Sequence, residues 1–400
     1  MKIQLQNITF YPSTGGIQSY LYSISKRLIE IGHEPTVLCS LHIKTLPRYD
    51  THENIKIIRH PYYKTHVFPF NILSPIYYVK RLEKFLSTDA FDYDVIWSNF
   101  FLEAFASCKA FSEKIPVIYI KHAIGSNMIK LHTSYLNDKV SLNIYLKSLY
   151  PQYFLIEKQA VEESEIVVAL SKMRAREICD TYNLDKNRVT VINPGIDLIK
   201  FHPSKKDKDL LKELNLPENC KIILTVCRLS FEKNLEMLIK SFNKISDENV
   251  FLIIVGYGAQ KEYLEGLVKR LNLSKKVIFT GERNDIERFY RIADLFILTS
   301  IYEGFGLVYL EAMATGIPCI GLKPDYPKII VSSDEIINDG TTGLLVDPYS
   351  VDDLTEKICK IINDDDLKNK LGKNARRVCE ERYSWEKTVE TLLKESEKII

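Results

Sequence analysis

The sequence predicts an α/β protein that is built from two doubly wound domains. Short apolar runs typical of buried parallel strands alternate with helix-forming stretches, and this alternation starts a second time after residue 204. The length of 400 residues exceeds what one hydrophobic core usually serves. We therefore expect a first domain over residues 1–200, completed by a C-terminal helix over 384–400, and a second domain over 201–383.

The first half contains seven strand candidates with helical stretches between most of them. They are Ile3–Thr9, Pro35–Leu41, Ile55–Arg59, Val95–Ser98, Val117–Lys121, Ile166–Leu170 and Val189–Ile192. Gly15 and Gly16 precede an amphipathic helix, so this pair is either a close-approach point for a ligand or a plain turn; it is not a GxGxxG fingerprint. His122 ends a central strand, where open α/β sheets place ligand-binding groups, although a structural hydrogen-bonding role is the alternative.

The second half repeats the pattern after a polar stretch, Ser204–Glu213, which we interpret as an interdomain connector. Its strand candidates are Ile222–Val226, Phe251–Val255, Val277–Thr280, Ala293–Thr299 and Ile317–Gly321. Arg228 and Lys233 stand five residues apart in one strand-to-helix loop. They are either solvated or convergent on one polyanion, for which a guanidinium fork and an ammonium are a suitable pair.

The stretch from Ser300 to Gly321 has the pattern strand, glycine loop, helix. Gly304 and Gly306 precede a helix-forming run, Leu307–Thr315, and free N–H groups in a first helical turn favour anions. Glu303 and Glu311 bracket this loop. A carboxylate deep in the helix suits neutral hydroxyls, such as those of a ribose, better than a phosphate; two solvated glutamates are the alternative.

Composition excludes several classes of function. A net charge of +2 argues against a nucleic-acid binder, and the eight cysteines show no zinc-ligand spacing. We expect free cysteines in a reducing compartment, no signal peptide and no membrane span, hence a cytoplasmic protein. Twelve of the forty residues from Tyr62 to Phe101 are aromatic, against 11% in the whole chain. With the neighbouring basic residues, they predict either core packing or a peripheral contact with an anionic membrane at the inner face of the plasma membrane.

Several short motifs occur together and resemble one family. They are the glycine pair after the first strand, NPGID at 193–197, RLSFEKN at 228–234, VGYG at 255–258 and EGFGLVYLEAMATGIP at 303–318. In this order the chain resembles the retaining glycosyltransferases of family 4, including the glycosyl transferases group 1 domain. The resemblance covers nearly the whole chain and implies the GT-B fold, in which two Rossmann-like domains face a central cleft.

The resemblance also implies roles for individual residues. The residues that it places in catalysis are His122, Arg228, Lys233 and Glu303. Of these, Arg228 and Lys233 would hold the leaving diphosphate, while His122 and Glu303 would lie near the donor sugar. The residues that it places in donor binding are Gly15, Gly16, Gly256, Gly304, Phe305, Gly306, Leu307 and Glu311.

The implied activity is transfer of a hexose-type sugar from a UDP- or GDP-sugar to a glycan or lipid-linked acceptor, in cell-envelope polysaccharide synthesis. Neither a metal nor a cofactor is expected. Two departures from the family pattern are Cys227, where a glycine is usual, and a longer loop over 322–337 with Asp325 and Glu335. The alternatives are a GT-B sugar-nucleotide epimerase and a GT-B binding protein without catalysis.

Overall fold

The computed structural model of the chain separates into two compact units. The residues that it describes are 1–13, 15–43, 45–61, 74–88, 92–111, 114–125 and 149–400. One unit comprises Met1–Pro194 with Trp385–Ile400, and the other comprises Gly195–Ser384. We call them the N-terminal unit and the C-terminal unit, and each is described by itself.

An eight-stranded sheet forms the centre of the N-terminal unit. Its strands are β1 (Lys2–Gln6), β2 (Glu34–Leu41), β3 (Tyr49–His52), β4 (Ile55–Pro61), β5 (Val95–Ser98), β6 (Val117–Lys121), β7 (Ile166–Ala169) and β8 (Val189–Val191). The order across the sheet is β3-β4-β2-β1-β5-β6-β7-β8, and only β3 is antiparallel to its neighbour. The parallel strands therefore share one carboxyl edge, the usual ligand edge of such sheets.

Helices cover both faces of this sheet. They are α1 (Gly16–Glu30), α2 (Ser74–Thr88), α3 (Phe101–Phe111), α4 (Tyr150–Glu163), α5 (Lys172–Tyr182) and α14 (Trp385–Glu397). The C-terminal α14 belongs here because it packs on α1 and because Trp97 of β5 donates a hydrogen bond to the Ser396 hydroxyl at 3.0 Å. These buried contacts explain why a helix that is distant in sequence completes the unit.

The C-terminal unit has a six-stranded sheet that is entirely parallel. Its strands are β9 (Lys221–Val226), β10 (Val250–Val255), β11 (Val277–Gly281), β12 (Leu295–Leu298), β13 (Cys319–Leu322) and β14 (Gly343–Val346). The order is β11-β10-β9-β12-β13-β14, so β9 and β12 are neighbours although β10 and β11 intervene in the chain. Most of their residues are apolar and buried, as expected for strands covered on both faces, except in the edge strand β11, where only Val277 is buried.

Helices again cover the second sheet. They are α6 (Lys208–Glu213), α7 (Leu235–Phe242), α8 (Lys261–Arg270), α9 (Ile286–Ile292), α10 (Leu307–Ala314), α11 (Ser333–Ile336), α12 (Val351–Ile362) and α13 (Asp365–Arg382). The predicted connector at 204–213 is in part α6. Asp207 accepts a hydrogen bond from the Leu210 N–H as the N-cap, and Leu210 and Leu211 are buried, so the polar stretch folds against the unit.

Candidate active site

Two loops of the C-terminal unit meet at the carboxyl ends of β9 and β12. The Thr299 hydroxyl lies 3.0 Å from the carbonyl oxygens of both Lys233 and Asn234. The Ile301 N–H donates to the Glu232 carbonyl at 2.8 Å. These bonds join the RLSFEKN loop to the loop that contains Glu303, so the adjacency of β9 and β12 continues beyond the strands.

Lys233 and Glu303 form an ion pair at this junction. The Lys233 Nζ lies 2.5 Å from Glu303 Oε2, and the two side chains are only 14% and 18% exposed. Burial alone would lower the pKa of the Lys233 ammonium, but the Glu303 carboxylate, with smaller contributions from Cys227 and Glu232, outweighs burial and the pKa is raised. Lys233 is therefore a fixed cation whose charge is balanced by one carboxylate.

Arg228 occupies the same loop but is placed differently. Its side chain is exposed, and no ion pair with it occurs among the residues that the structure describes. Its backbone is anchored, because the Ser230 N–H donates to the Arg228 carbonyl at 2.9 Å and the neighbouring Leu229 N–H donates to the Tyr257 carbonyl at 3.1 Å. The guanidinium thus projects from a fixed backbone, and its charge is available to a ligand.

The glycine loop leads into α10 as the sequence predicts. Gly306, the N-cap of α10, has φ of 94°, and a Cβ there would lie 2.8 Å from the Tyr309 ring. Phe305 is buried and its ring meets Tyr383 edge-on at 6.0 Å, so only its backbone can face a ligand. The Gly304 N–H lies 3.2 Å from Oε1 of Glu303. Leu307 then opens the helix, whose first N–H groups suit an anion.

Gly256 follows β10, and protein packing alone explains why it is a glycine. A Cβ at this position would lie 2.0 Å from the carbonyl oxygen of Cys227, and the φ of 137° disfavours other residues. Cys227 itself, at the usual glycine position, has its pKa raised to about 12 by burial. The close approach of the loops after β9 and β10 therefore requires a residue without a side chain at Gly256.

Glu311 lies in the second turn of α10 and is partly buried. The Tyr290 hydroxyl donates a hydrogen bond to its Oε2 at 2.7 Å. Burial raises the pKa of the Glu311 carboxyl to about 7, and the Tyr290 bond opposes that rise. The residue is thus balanced between its neutral and ionised forms near pH 7.

The unusual loop over 322–337 packs directly beside Glu303. The Glu303 N–H donates to the Ile330 carbonyl at 2.9 Å, and the Ile330 N–H donates to the Ile301 carbonyl at 2.9 Å. Asp325 accepts a hydrogen bond from the Tyr349 hydroxyl at 2.6 Å, and the Glu335 carbonyl accepts one from Tyr383 at 3.3 Å. The loop over 322–337 therefore fixes the backbone of Glu303.

In the N-terminal unit, the glycine pair lies between β1 and α1. Gly15 is the N-cap of α1 with φ of 153°, and a Cβ there would lie 2.6 Å from Oε1 of Gln18. A Cβ at Gly16 would have no atom of the described residues within 4 Å. The space over Gly16 is open, so packing in the described chain does not account for that glycine.

His122 lies at the carboxyl end of β6, next to the end of β5. Its Nε2 is 2.8 Å from Oδ1 of Asn99, so this nitrogen donates, and the Tyr20 ring meets the imidazole edge-on at 4.9 Å. Burial lowers the pKa of His122 to about 3, which keeps the ring neutral. Sequence reasoning missed Asn99, although a polar residue directly after a buried strand was a usable signal.

The aromatic segment is in part core. Tyr78 and Phe85 of α2 are buried in the hydrophobic cluster between the sheet and α3, which supports the packing interpretation for these two residues. Lys80 and Arg81 lie on the exposed side of the helix. The predicted patch also includes residues 62–73, which lie outside the described residues.

Metal sites and membrane spans were not found in the described part of the chain. No group of three or more His, Cys, Asp or Glu side chains in these ranges is placed to hold a metal ion. Likewise, no helix in the described part of the chain is both long and apolar enough to cross a bilayer.

Comparisons with known proteins agree with these features. Residues 14–200 match the Glycosyltransferase Family 4 model and residues 206–378 match the Glycosyl transferases group 1 model. The chain is 26% identical to N-acetyl-alpha-D-glucosaminyl L-malate synthase of Bacillus anthracis, over 97% of this chain and 95% of that protein.

Two solved structures are also similar. Sucrose-phosphate synthase from Thermosynechococcus elongatus has a TM-score of 0.82 at 22% identity, over 100% of this chain and 98% of that chain. HepE of Anabaena, solved in complex with UDP, has a TM-score of 0.78 at 22% identity, over 100% of both chains. The predicted GT-B fold class is confirmed.

Proposed function

We propose, from the premise that the chain belongs to glycosyltransferase family 4, that it moves a hexose-type sugar from a UDP- or GDP-sugar to a glycan or lipid-linked acceptor. We further propose that the anomeric configuration is retained, that no metal is needed, and that the product enters cell-envelope polysaccharide. The observation that supports this best is the ion pair of Lys233 with Glu303, in the loop that also contains the exposed Arg228, at the carboxyl ends of β9 and β12.

The charges at this edge suit cleavage of a sugar–phosphate bond. Breaking that bond leaves negative charge on the diphosphate, and cations already fixed in place stabilise this charge more in the transition state than in the ground state. Lys233 is held by Glu303, and Arg228 has no competing carboxylate among the described residues. The N-terminal turn of α10 adds N–H groups on the neighbouring loop.

We assign the donor sugar to Glu303 and the ribose to Glu311. Glu303 has its backbone fixed by Ile330 and its carboxylate fixed by Lys233, which makes it a positioning group for sugar hydroxyls rather than a free nucleophile. Glu311 presents acceptor oxygens to hydroxyl donors. Within the same proposal, the donor phosphate itself helps to accept the proton of the attacking acceptor hydroxyl.

From the N-terminal unit we assign Gly16 and His122 to the donor. The open space over Gly16 at the start of α1 suits a phosphate oxygen near the first N–H groups. The neutral His122, oriented by Asn99, presents an unprotonated Nδ1 that can accept a hydrogen bond from a sugar hydroxyl. Both lie at the carboxyl edge of their sheet.

We also propose that the protein acts in the cytoplasm at the inner face of the plasma membrane. Its cysteines are all free thiols, which suits a reducing compartment. The exposed Lys80 and Arg81 on α2 provide positive charge for anionic lipid.

Slow donor hydrolysis tests the proposed function. The protein is incubated with radiolabelled UDP- and GDP-sugars, with and without EDTA, and the released sugar is analysed for anomer and epimer. Free sugar with the donor's anomeric configuration, unchanged by EDTA, supports a retaining, metal-independent transferase. A 2-epimer would instead indicate the epimerase, and no turnover of any donor would indicate a binding protein. Glycan acceptors and L-malate, after the Bacillus anthracis relative, are then compared as acceptors.

A further inference from the structure

Tyr290 is a buried tyrosine of α9 whose hydroxyl points at Glu311. Its side chain is 1% exposed, and its ring packs against Phe201 and Phe296, each with a ring-centroid distance of 5.8 Å. The hydroxyl donates to Glu311 Oε2 at 2.7 Å and lies 3.4 Å from the Val308 carbonyl. A hydroxyl has one proton, so the shorter contact to Glu311 is the principal bond.

This bond makes the two carboxylate oxygens of Glu311 different. Oε2 is occupied by Tyr290, while Oε1 has no hydrogen-bond partner among the described residues. The Glu311 side chain is partly exposed, so a ligand can reach it. Because the Tyr290 hydrogen bond already restricts rotation of the carboxylate, less conformational entropy is lost when a ligand binds. This restriction favours binding at the other oxygen.

We propose that Tyr290 is a positioning residue for the nucleotide: it holds Oε2 of Glu311 so that Oε1 faces the ribose hydroxyls of a nucleoside diphosphate. This inference rests on the proposed function, because it needs Glu311 to bind the donor's ribose.

The electrostatics of Glu311 give the inference a measurable consequence. Burial raises the pKa of the carboxyl to about 7, the Tyr290 hydrogen bond and the Lys200 ammonium lower it, and the Glu287 carboxylate raises it. Lys200 and Glu287 are themselves 3.5 Å apart. Losing the Tyr290 hydroxyl therefore shifts the pKa further upwards and populates the neutral acid, a poorer acceptor, at pH 7.

Other titratable groups near α10 are occupied elsewhere. On β13, the Cys319 thiol lies 3.7 Å from the Ile317 carbonyl and 3.8 Å from the Tyr309 carbonyl, and on α13 the Cys379 thiol donates to the Leu310 carbonyl at 3.7 Å. Arg376 of α13 donates to the Ala314 carbonyl at 2.7 Å. None of these three is among the groups that shift the pKa of Glu311.

The test is Tyr290→Phe, which removes the hydroxyl and keeps the ring packing. Dissociation constants of UDP and GDP are measured by calorimetry from pH 5.5 to 9 for the wild type and for the variant. The expected result is a roughly 3- to 10-fold weaker affinity at pH 7 for whichever nucleotide binds, the usual worth of one hydrogen bond. The midpoint of the decline in affinity at low pH should move to higher pH in the variant, so the difference between the two proteins narrows at high pH to the part that the lost positioning causes.

Glu311→Gln is the matched control. It abolishes the Glu311 titration, so the pH dependence that it retains comes from other groups, the nucleotide's own phosphate among them. Tyr290→Phe added to Glu311→Gln should change affinity less than Tyr290→Phe alone does. In turnover, Tyr290→Phe should raise the donor KM more than it lowers kcat, since the residue acts on binding. Tyr290→Met, which also lacks the hydroxyl, replaces the phenylalanine variant if that protein does not fold.

The possible outcomes separate the inference from the proposed function. If the wild type binds neither UDP nor GDP, the proposed function fails. If the wild type binds and Tyr290→Phe has the same affinity and midpoint, Tyr290 has no positioning role and the proposed function stands. A Tyr290→Phe loss of affinity that is undiminished in the Glu311→Gln background would overturn the action through Glu311.

Discussion

Replacing Arg228 or Lys233 by alanine should impair turnover similarly but affect stability differently. Lys233 lies 2.5 Å from Glu303 with both side chains less than one-fifth exposed, so Lys233→Ala leaves a partly buried carboxylate without its partner. Such a loss costs about 1–3 kcal/mol in the free energy of unfolding. Arg228 is exposed, and none of the described residues pairs with it, so Arg228→Ala should change that free energy by less than about 0.5 kcal/mol.

The expected effect on catalysis comes from the charge that develops on the leaving diphosphate. Removing one fixed donor that faces developing negative charge typically lowers kcat by about 10²–10³-fold. We expect a loss of this size for Arg228→Ala and for Lys233→Ala. Arg228→Lys should recover part of it, because the ammonium keeps the charge but loses the planar fork.

The assay combines donor hydrolysis under saturating UDP- or GDP-sugar with urea unfolding of the same preparations. Arg270→Ala, an exposed arginine that ends α8, is the matched control and should leave both measurements unchanged. A fully active Arg228→Ala enzyme would refute the assignment of the leaving group to this loop. Equal stability losses in Arg228→Ala and Lys233→Ala would refute the argument from exposure.

Three further predictions follow from buried or exposed charges. Burial raises the pKa of Glu103 to about 7, so the wild type loses stability as pH rises, because the carboxyl ionises more readily in the unfolded chain than in the folded one. In urea titrations from pH 5 to 8, Glu103→Gln should therefore become more stable relative to the wild type, and a constant difference would contradict this. Lys121 and Glu157 form a fully buried ion pair, and Lys121→Ala should cost about 3–5 kcal/mol of unfolding free energy, whereas an effect below 1 kcal/mol would show that the carboxylate is neutral or hydrated. Lys80→Glu with Arg81→Glu should weaken binding to vesicles containing anionic lipid, with neutral vesicles as the control, and unchanged binding would exclude this part of α2 from membrane contact.

The parallel strands were predictable because burial on both faces leaves continuous apolar runs in the sequence. β12, at Leu295–Leu298, lies within the run predicted from Ala293 to Thr299, and α10 begins at the predicted Leu307. β3, at Tyr49–His52, was missed. It is a short edge strand with none of its residues buried, so it has neither an apolar run nor an alternating pattern.

The contacts within the site were less predictable than the motifs. Lys233 and Glu303 are 70 residues apart, and they meet because β9 and β12 are adjacent in the sheet, an order that the one-dimensional pattern does not specify. Nothing in the sequence indicated a role for Tyr290 in the site, since an aromatic residue in a helix usually belongs to the hydrophobic core. Gly256 is the opposite case, because the carbonyl of Cys227 already accounts for a glycine that the motif alone would assign to a ligand.

Arg228 and Lys233, at the carboxyl ends of β9 and β12, differ in how far their charges are compensated, and this difference predicts different roles. Lys233 and Glu303 neutralise one another at 2.5 Å, so together they contribute little net field to an approaching diphosphate. Arg228 has no such partner among the described residues and supplies the uncompensated positive charge. In the proposed reaction, Arg228 therefore acts on the diphosphate both when it binds and when charge develops on it, whereas Lys233 contributes mainly when charge builds up on the leaving group and competes with Glu303. On this argument, raising the ionic strength should weaken nucleotide binding through Arg228 more than through Lys233, since screening acts mostly on exposed charges.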